Sequence, residues 1–344
     1  MVDSQQLYSS KTSMIESFVL RRLCDPILDR LPATLNPNSI TVSNHFLYWA
    51  CLFFAGAAPH LNAEDALAAR VIAGSLVFIS MILDCLDGMH ARRTGQTSHV
   101  GEVLDHWLDG LNTPLNAAAM ALTLQLDPWT SAVVMVSMGM VYIAQLSVWH
   151  QTGHFLCPPT SGVDAQVLLS LSFIGAGVYY YVYPPILYPA MAQWFGLAFG
   201  WGSVLTALKQ LWWFNARGPS ATMYTIRANL VVATLAILYP LGFIDGVGAY
   251  VLMAIASFRV SGSYVLYTIL GRSYGGLDRA LMLWPPIICV VHLFLGPLDI
   301  EAYGLRENLS YLAAAHLGGL SLMNLVSHFG ELRFLDKSSQ SNRA

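Results

Sequence analysis

Residues 82–110, ILDCLDGMHARRTGQTSHVGEVLDHWLDG, lie where one apolar segment ends and the next begins. Asp84 and Asp87 are three residues apart, which places them on one face of a first helix. Gly101, Asp105 and Asp109 are spaced by four residues, which places them on one face of a second helix. The polar connection 94–100 is short, so the two helices can turn back on each other. The pattern therefore predicts four aspartates gathered at one end of a helical hairpin.

The composition is that of a membrane protein. Of the 344 residues, 55% are hydrophobic and 11% are charged, whereas a soluble domain has about 25% charged residues. The hydrophobic pattern predicts an all-α, polytopic integral membrane protein with about ten transmembrane helices of roughly 20 residues each. The ten apolar segments are 41–58, 68–83, 104–124, 130–149, 165–184, 187–208, 227–243, 247–270, 281–297 and 308–327.

The distribution of charge predicts the topology and excludes one class of partner. With ten spans, most Lys and Arg residues fall on the side of the N-terminus, and only Arg70 and Arg306 fall in the opposite loops. Both termini are therefore expected in the cytoplasm, with the protein in the endoplasmic reticulum or Golgi of a eukaryote or the inner membrane of a bacterium. The 17 Lys and Arg against 20 Asp and Glu give no basic excess for nucleic acid.

The segments at the two ends are interpreted separately. Apolar residues recur at helical spacing before the first span, which predicts an amphipathic helix in the headgroup layer or, alternatively, a soluble helix on the cytoplasmic loops: Ile15, Phe18, Val19, Leu23, Ile27 and Leu31. One membrane domain is expected over 1–336, with its catalytic hairpin at about 68–124. Residues 337–344 are expected to form a disordered tail.

Four carboxylates at a membrane boundary indicate a metal centre. A central Asp costs about 2.5–3.5 kcal/mol on the insertion scale, and clustered carboxylates also repel one another. Only Arg92 and Arg93 lie nearby in the sequence, too few for an internal ion-pair network. Oxygen ligands suit Mg²⁺, Mn²⁺ or Ca²⁺ rather than Zn²⁺, and two such ions can clamp a pyrophosphate. Gly88 and Gly101 would let a ligand approach the backbone.

The hairpin resembles a known signature. At every fixed position it is similar to the CDP-alcohol phosphotransferase family: Asp84-x2-Asp87-Gly88-x2-Ala91-Arg92-x8-Gly101-x3-Asp105-x3-Asp109. The resemblance implies that two Mg²⁺ or Mn²⁺ ions, bound by Asp84, Asp87, Asp105 and Asp109, hold the pyrophosphate of the donor. It also implies contacts to the CDP moiety from Asn38, Gly88, Ala91, Arg92 and Gly101.

Within this family the chain looks like the choline/ethanolamine phosphotransferase branch. The ten predicted spans and the stretches 36–41, 91–94, 150–152 and 162–164 carry the likeness. It implies transfer of phosphoethanolamine or phosphocholine from a CDP-alcohol to diacylglycerol or a similar lipid hydroxyl, with release of CMP, in phospholipid biosynthesis. Because family members are often homodimers, a homodimer is also implied. The alternatives are a CDP-diacylglycerol-dependent phosphatidyltransferase acting on a soluble alcohol and a divalent-cation transporter.

His106 is the candidate general base. The matching histidine of the branch is a proposed base, and an imidazole pKa near 6.5 suits proton transfer at neutral pH. Asp109 is the rival for this role, and a third interpretation has His106 orienting Asp105. The sequence departs from the branch at Val167, where a Glu is usual. It departs again at Trp107, which is expected near the metal site and would shape the alcohol pocket.

Two other polar residues have two interpretations each. By the resemblance Asn38 contacts the cytidine, but an Asn before the first span is also typical of a helix cap. Arg259 falls inside the eighth predicted span, where a charge must face protein or a cavity. It would either hold a lipid phosphate or pair with Asp245 or Asp278.

Overall fold

The computed structural model describes residues 13–153, 155, 162–183, 188–215, 220–273, 278–295 and 305–341. These residues form helices and no strand, which confirms the all-α prediction. The helices are α1 Met14–Val19, α2 Asp25–Leu28, α3 Pro37–Ala57, α4 Ala63–Thr94, α5 His99–Thr123, α6 Pro128–Thr152, α7 Gly162–Val182, α8 Tyr188–Asn215, α9 Ser220–Ala236, α10 Gly246–Ile269, α11 Arg279–Leu295 and α12 Leu305–Ser341.

Six helical segments in the described part of the chain are long and apolar enough to cross a membrane. They lie in α3 with the turn that follows it, and in α4, α6, α7, α10 and α12. The predicted count of ten spans is not reached by this measure. Helices α9 and α11 contain 17 residues each, fewer than the roughly 20 that cross a hydrocarbon core.

The chain divides into two compact units. The first contains the residues up to Asp105 with 118–126 and 155–194, and the second contains 106–117, 127–154 and 195–344. In the first unit α4 packs against α3 and α7. At Gly74 a side chain would lie 2.7 Å from the carbonyl oxygen of Ser170, whose hydroxyl donates to the Gly74 carbonyl at 2.7 Å. The glycine therefore permits the close approach of α4 and α7.

The N-terminal helical stretch packs on α4 in the first unit. A π-helical turn, Leu20–Cys24, joins α1 to α2. Val19, Cys24 and Leu28 are buried against apolar residues of α4. The opposite side exposes other apolar side chains, among them Met14 at 91% and Phe18 at 60%. The stretch thus has one apolar face on the protein and further apolar surface outside it.

The far end of α4 contains a buried arginine. Arg70 was expected in a loop, but it lies inside α4 and is 2% exposed. Its Nε donates to the carbonyl oxygen of Thr123 at 3.3 Å, and its guanidinium carbon lies 4.1 Å from the ring centroid of Tyr180. Thr123 is the last residue of α5, so a cation meets the negative end of the helix dipole.

In the second unit α10 lies between other helices. It packs against α6, α9 and α12, and most of its residues are buried. Ser147 of α6 and Thr225 of α9 are joined through their hydroxyl groups. Gly248 of α10 lies directly against Ser310 of α12.

Helix α12 ends later than the sequence pattern suggests. It continues through Ser341, whereas a disordered tail was expected from residue 337. Once a helix is established, each added residue closes one more hydrogen bond, so a helix can extend into a polar segment. Residues 342–344 of the expected tail lie outside the described residues.

Candidate active site

The hairpin turn is built from local capping. Gly95 ends α4 in the left-handed conformation, with φ of +69°, which glycine adopts without strain. Ser98 is the N-cap of α5, and its Oγ accepts from the backbone N–H of Gly101 at 2.9 Å. These caps stop one helix and start the next within a few residues, as the sequence predicts.

The turn brings three of the four predicted metal ligands together. Carboxylate oxygens of Asp84, Asp105 and Asp109 lie within 4.8 Å of one another. Asp84 is on α4, and the other two lie one turn apart on the continuous helix α5. Three carboxylates at this separation form a compact set of oxygen donors, the type that Mg²⁺ and Mn²⁺ prefer. The residues therefore fit a divalent ion.

Asp87, the fourth predicted ligand, lies outside this trio. It is 4% exposed, and its Oδ2 accepts from the hydroxyl of Thr41 on α3 at 2.7 Å. Its Oδ1 accepts from the backbone N–H of Gly88 at 2.6 Å. Two neutral donors thus orient this carboxylate while leaving its negative charge in place.

Two residues of α3 that contact the aspartates were missed as site residues in the sequence. Thr41 holds Asp87, and Asn44 donates from Nδ2 to Asp84 Oδ1 at 3.4 Å. With Asn38 they form a polar series at positions i, i+3 and i+6 of α3. That spacing places them on one helix face, and it is the signal that identifies them.

The predicted CDP-contacting residues lie near the same helix ends. The guanidinium of Arg92 folds over Gly88, where an added Cβ would lie 3.2 Å from its Nη1. A Cβ on Gly101 would lie 3.0 Å from Asn38 Oδ1, so this glycine makes room for the Asn38 side chain. Ala91 lies on α4 one turn after Asp87. The structure therefore brings Asn38 to Gly101 and Arg92 to Gly88.

The chain before α3 is held to the end of α4. His90 contacts the carbonyl oxygen of Leu35 through Nε2 at 3.0 Å, and Gln96 donates to the carbonyl oxygen of Ala33 at 2.9 Å. Arg93 and Asp29 form an exposed ion pair at 2.7 Å. Asn36, rather than Asn38, is the residue that caps α3. The helix-cap interpretation of Asn38 is therefore wrong.

His106 is buried within the second unit, at 6% exposure. Its ring makes a T-shaped contact with Trp149, with 5.1 Å between the centroids, and its carbonyl oxygen accepts from the Tyr142 hydroxyl at 2.5 Å. The residue follows Asp105 directly on α5. The ring contact with Trp149 and the hydrogen bond from Tyr142 thus fix the position of His106, which directly follows Asp105 in the sequence.

Trp107 has a different role from the predicted one. It is 2% exposed, its Nε1 donates to the carbonyl oxygen of Phe258 at 2.9 Å, and its ring lies directly against Gly262. Two residues from Asp105 and two from Asp109, it lies on the opposite side of α5. The expectation that Trp107 shapes the alcohol pocket is therefore wrong, because this side chain joins α5 to α10.

The position of the unusual Val167 is apolar. Its side chain packs with Val163 against the cluster formed by the N-terminal stretch and α4. Asp164, the nearest carboxylate in the sequence, accepts from the hydroxyl of Ser13 at 2.7 Å. In this chain the segment therefore anchors the N-terminal stretch.

Arg259 pairs with one of its two predicted partners. Its Nε lies 2.7 Å from Asp278 Oδ2, while Asp278 Oδ1 accepts from the backbone N–H of Ala280 at 2.9 Å. Asp245, the other candidate, caps α10 instead. The pairing accounts for a charge inside an apolar helix.

The segment that contains the helices of the site is similar to known proteins. A family model described as CDP-alcohol phosphatidyltransferase matches residues 34–208. Cholinephosphotransferase 1 of Saccharomyces cerevisiae is 27% identical over 175 residues, 50% of this chain and 44% of that protein. Ethanolaminephosphotransferase 1 of Homo sapiens is 30% identical over 116 residues, 31% of this chain and 29% of that protein. For cholinephosphotransferase 1 of Gallus gallus the identity is 30% over 122 residues, 34% of this chain and 36% of that protein. The chain spans less than half the length of each.

Proposed function

Because the chain belongs to the CDP-alcohol phosphatidyltransferase family, we propose that it is a Mg²⁺- or Mn²⁺-dependent membrane phosphotransferase. It transfers phosphoethanolamine or phosphocholine from the CDP-alcohol to diacylglycerol or a similar lipid hydroxyl and releases CMP. The observation that carries the proposal is the trio of Asp84, Asp105 and Asp109, whose carboxylate oxygens lie within 4.8 Å of one another. The matched relatives, which include a cholinephosphotransferase and an ethanolaminephosphotransferase, support this choice of headgroups.

The four aspartates would hold two divalent ions. When bound, these ions neutralise the pyrophosphate of the donor and the charge that develops on the departing CMP. Asp84, Asp105 and Asp109 supply the clustered oxygens. Asp87 adds a carboxylate whose direction Thr41 fixes. Positioning and electrostatic stabilisation of this kind provide most of the catalysis in phosphoryl transfer.

The helix ends around the aspartates would bind the nucleotide. Arg92 presents a planar guanidinium, which suits bidentate contacts with phosphate. Gly88 lets this guanidinium lie against the backbone of α4, and Gly101 makes room for Asn38, since neither glycine carries a side chain. Asn38 lies against Gly101 and offers an amide to the cytidine.

The reaction requires one proton to leave the acceptor. The lipid hydroxyl oxygen attacks the β-phosphorus, the bond from that phosphorus to CMP breaks, and the hydroxyl proton passes to a base. His106 is our candidate because an imidazole is the side chain best suited to accept a proton near neutral pH. Its burial and its contact with Trp149 hold the ring in one place. Asp109 is the alternative base, and His106 would then orient Asp105.

The membrane places donor and acceptor on two sides of the active site. We propose ten spans with both termini in the cytoplasm, so that the aspartates lie toward the cytoplasmic ends of α4 and α5 and the soluble donor reaches them from water. The acceptor would arrive laterally from the bilayer. The exposed apolar residues of the N-terminal stretch, Met14 and Phe18, would lie in the headgroup layer. We also propose that the protein is a homodimer.

The test is CMP release by purified protein in lipid nanodiscs. CDP-ethanolamine or CDP-choline is supplied with diacylglycerol and Mg²⁺ or Mn²⁺, with and without EDTA. We expect CMP release that needs both the metal and diacylglycerol. Release from CDP-diacylglycerol and a soluble alcohol alone would instead identify a phosphatidyltransferase. Metal flux into vesicles without CMP release from either donor would favour a transporter.

A further inference from the structure

An amide buried beside the aspartates is not used by the proposed reaction. Asn44 is 1% exposed, and its Nδ2 donates to Asp84 Oδ1 at 3.4 Å. One turn earlier on α3, Thr41 donates to Asp87 Oδ2 at 2.7 Å. Helix α3 thus presents one neutral donor to Asp84 and one to Asp87.

The other half of the Asn44 amide is unsatisfied. Its Oδ1 is buried and has no hydrogen-bond partner among the described residues. A buried acceptor without a partner costs about 1–3 kcal/mol, which an apolar side chain of similar size, such as leucine, would avoid. An oxygen in this position, next to a carboxylate of the trio, is therefore an acceptor available to a ligand that carries positive charge or hydrogen-bond donors.

We infer that Asn44 is a positioning residue of the metal centre: its NH₂ group holds Asp84, and its Oδ1 accepts from the hydration shell of the divalent ion. The inference rests on the proposed function, since it takes Asp84 as a ligand. Mg²⁺ keeps several of its waters in proteins, and these waters are hydrogen-bond donors. An acceptor that is fixed by packing therefore adds to the affinity of the ion.

The chemistry of the donors supports this assignment. A lysine or arginine at position 41 or 44 would fix the carboxylates, but it would also neutralise them and compete with the ion. Thr41 and Asn44 restrict the carboxylates while preserving their full charge for the ion. Groups that hold metal ligands in this way affect metal affinity or activity by about 10–100-fold when they are replaced.

The inference is tested by direct binding of Mn²⁺. Electron paramagnetic resonance of free Mn²⁺ is recorded with the full chain in nanodiscs, without nucleotide, for wild type and Asn44→Leu. We expect the affinity of the variant to fall about 10–100-fold. Ser43→Ala is the matched control, because Ser43 is the neighbouring polar residue on the exposed side of α3, and its affinity should equal that of wild type. Equal affinity of Asn44→Leu and wild type would overturn the inference.

Two further measurements separate this role from a merely structural one. Asn44→Ala repeats the binding test without the bulk of leucine, should the leucine variant not fold. In the CMP-release assay, both variants should need about 10–100-fold more Mn²⁺ for half-maximal rate, with a smaller change in kcat at saturating metal.

The outcomes also distinguish this inference from the proposed function. Asn44-dependent Mn²⁺ binding without CMP release from any donor would refute the function and support the role of Asn44. CMP release with unchanged Mn²⁺ binding in the Asn44 variants would do the reverse. A wild-type protein that binds no Mn²⁺ would refute both.

Discussion

Within the first unit, the two ends of the hairpin differ in how their charged side chains are stabilised. At one end, Asp84 and Asp87 of α4 receive hydrogen bonds from the neutral side chains of Asn44 and Thr41. At the other end, Arg70 is held by the carbonyl oxygens of Thr123 and Ala66 and by the ring of Tyr180.

This difference shows which end of the hairpin requires an external ion. The carbonyl groups at the end of α5 carry about half a negative charge in total, so the protein itself stabilises Arg70. Neutral donors orient the aspartates but do not balance their charges. Arg92 lies over Gly88 at this end, but one guanidinium does not balance four carboxylates, so the acidic end favours cations from outside. At the basic end, the charge of Arg70 is stabilised within the fold. Variants at each end of the hairpin test this contrast.

Removing one charge from the trio should abolish turnover. Asp105→Asn keeps the shape of the side chain but removes a carboxylate that lies within 4.8 Å of its two neighbours. We expect no metal-dependent CMP release, with the protein remaining folded by size-exclusion chromatography. Loss of repulsion between carboxylates should also make the metal-free variant at least as stable to heat as wild type. Retained turnover would show that the trio is not the metal centre.

Replacing the candidate base should slow the reaction without preventing metal binding. His106→Ala is expected to lower kcat by about 10²–10⁴-fold, the usual contribution of general acid–base catalysis. Mn²⁺ binding in nanodiscs should remain close to that of wild type, since the imidazole is not a proposed ligand. A loss smaller than tenfold would assign the proton transfer to Asp109.

Changing the basic end should affect stability rather than metal affinity. Arg70→Met keeps an apolar stem but leaves the carbonyl oxygen of Thr123 without its guanidinium donor. We expect the free energy of unfolding to fall by about 1–3 kcal/mol, measured as a lower Tm in nanodiscs. Mn²⁺ affinity should stay unchanged. If Arg70→Met weakened Mn²⁺ binding as much as Asn44→Leu, the two ends would not be independent.

Several of these features could be predicted from the sequence because they depend on local spacing. The i, i+3 and i+4 intervals of the aspartates place them on helix faces, and Gly95 and Ser98 stop and start the helices where the polar connection lies. Each predicted apolar segment also overlaps a helix, although α9 ends at Ala236, before the predicted end at residue 243. Regular periodicity is thus sufficient to predict that the helices exist and that the aspartates gather at one end of the hairpin.

What could not be predicted depends on packing between segments distant in the chain. Trp107 was expected in the pocket, but its partner Phe258 lies 151 positions away. Arg70 was expected in a loop, but the carbonyl oxygen of Thr123 and the ring of Tyr180 hold it inside α4. Asn44 contacts an aspartate 40 positions away. The periodicity of a sequence does not show which distant segments pack together, so these pairs could not be predicted from it.

The smallest effect is expected at Asp127, the N-cap residue of α6, four positions after Thr123. Burial raises the pKa of this carboxyl, but hydrogen bonds from the Thr130 hydroxyl and from the backbone N–H groups of Thr130 and Trp129 outweigh it, so the pKa is lowered. A lowered pKa in the folded state means that the charged cap stabilises the protein above the unfolded pKa of about 3.9. That contribution is lost as the pH falls through the folded value.

Asp127→Ala should therefore lower the free energy of unfolding by about 1 kcal/mol at pH 7, the usual value of a helix N-cap. The difference in Tm between variant and wild type should shrink as the pH falls below about 4, and Asp127→Asn, which also caps, should show little loss at pH 7. Mn²⁺ binding should be unchanged in both variants, because this carboxylate, like Arg70, is satisfied by a helix end. A variant at Asp127 that lowered Mn²⁺ affinity would contradict the contrast on which the other predictions rest.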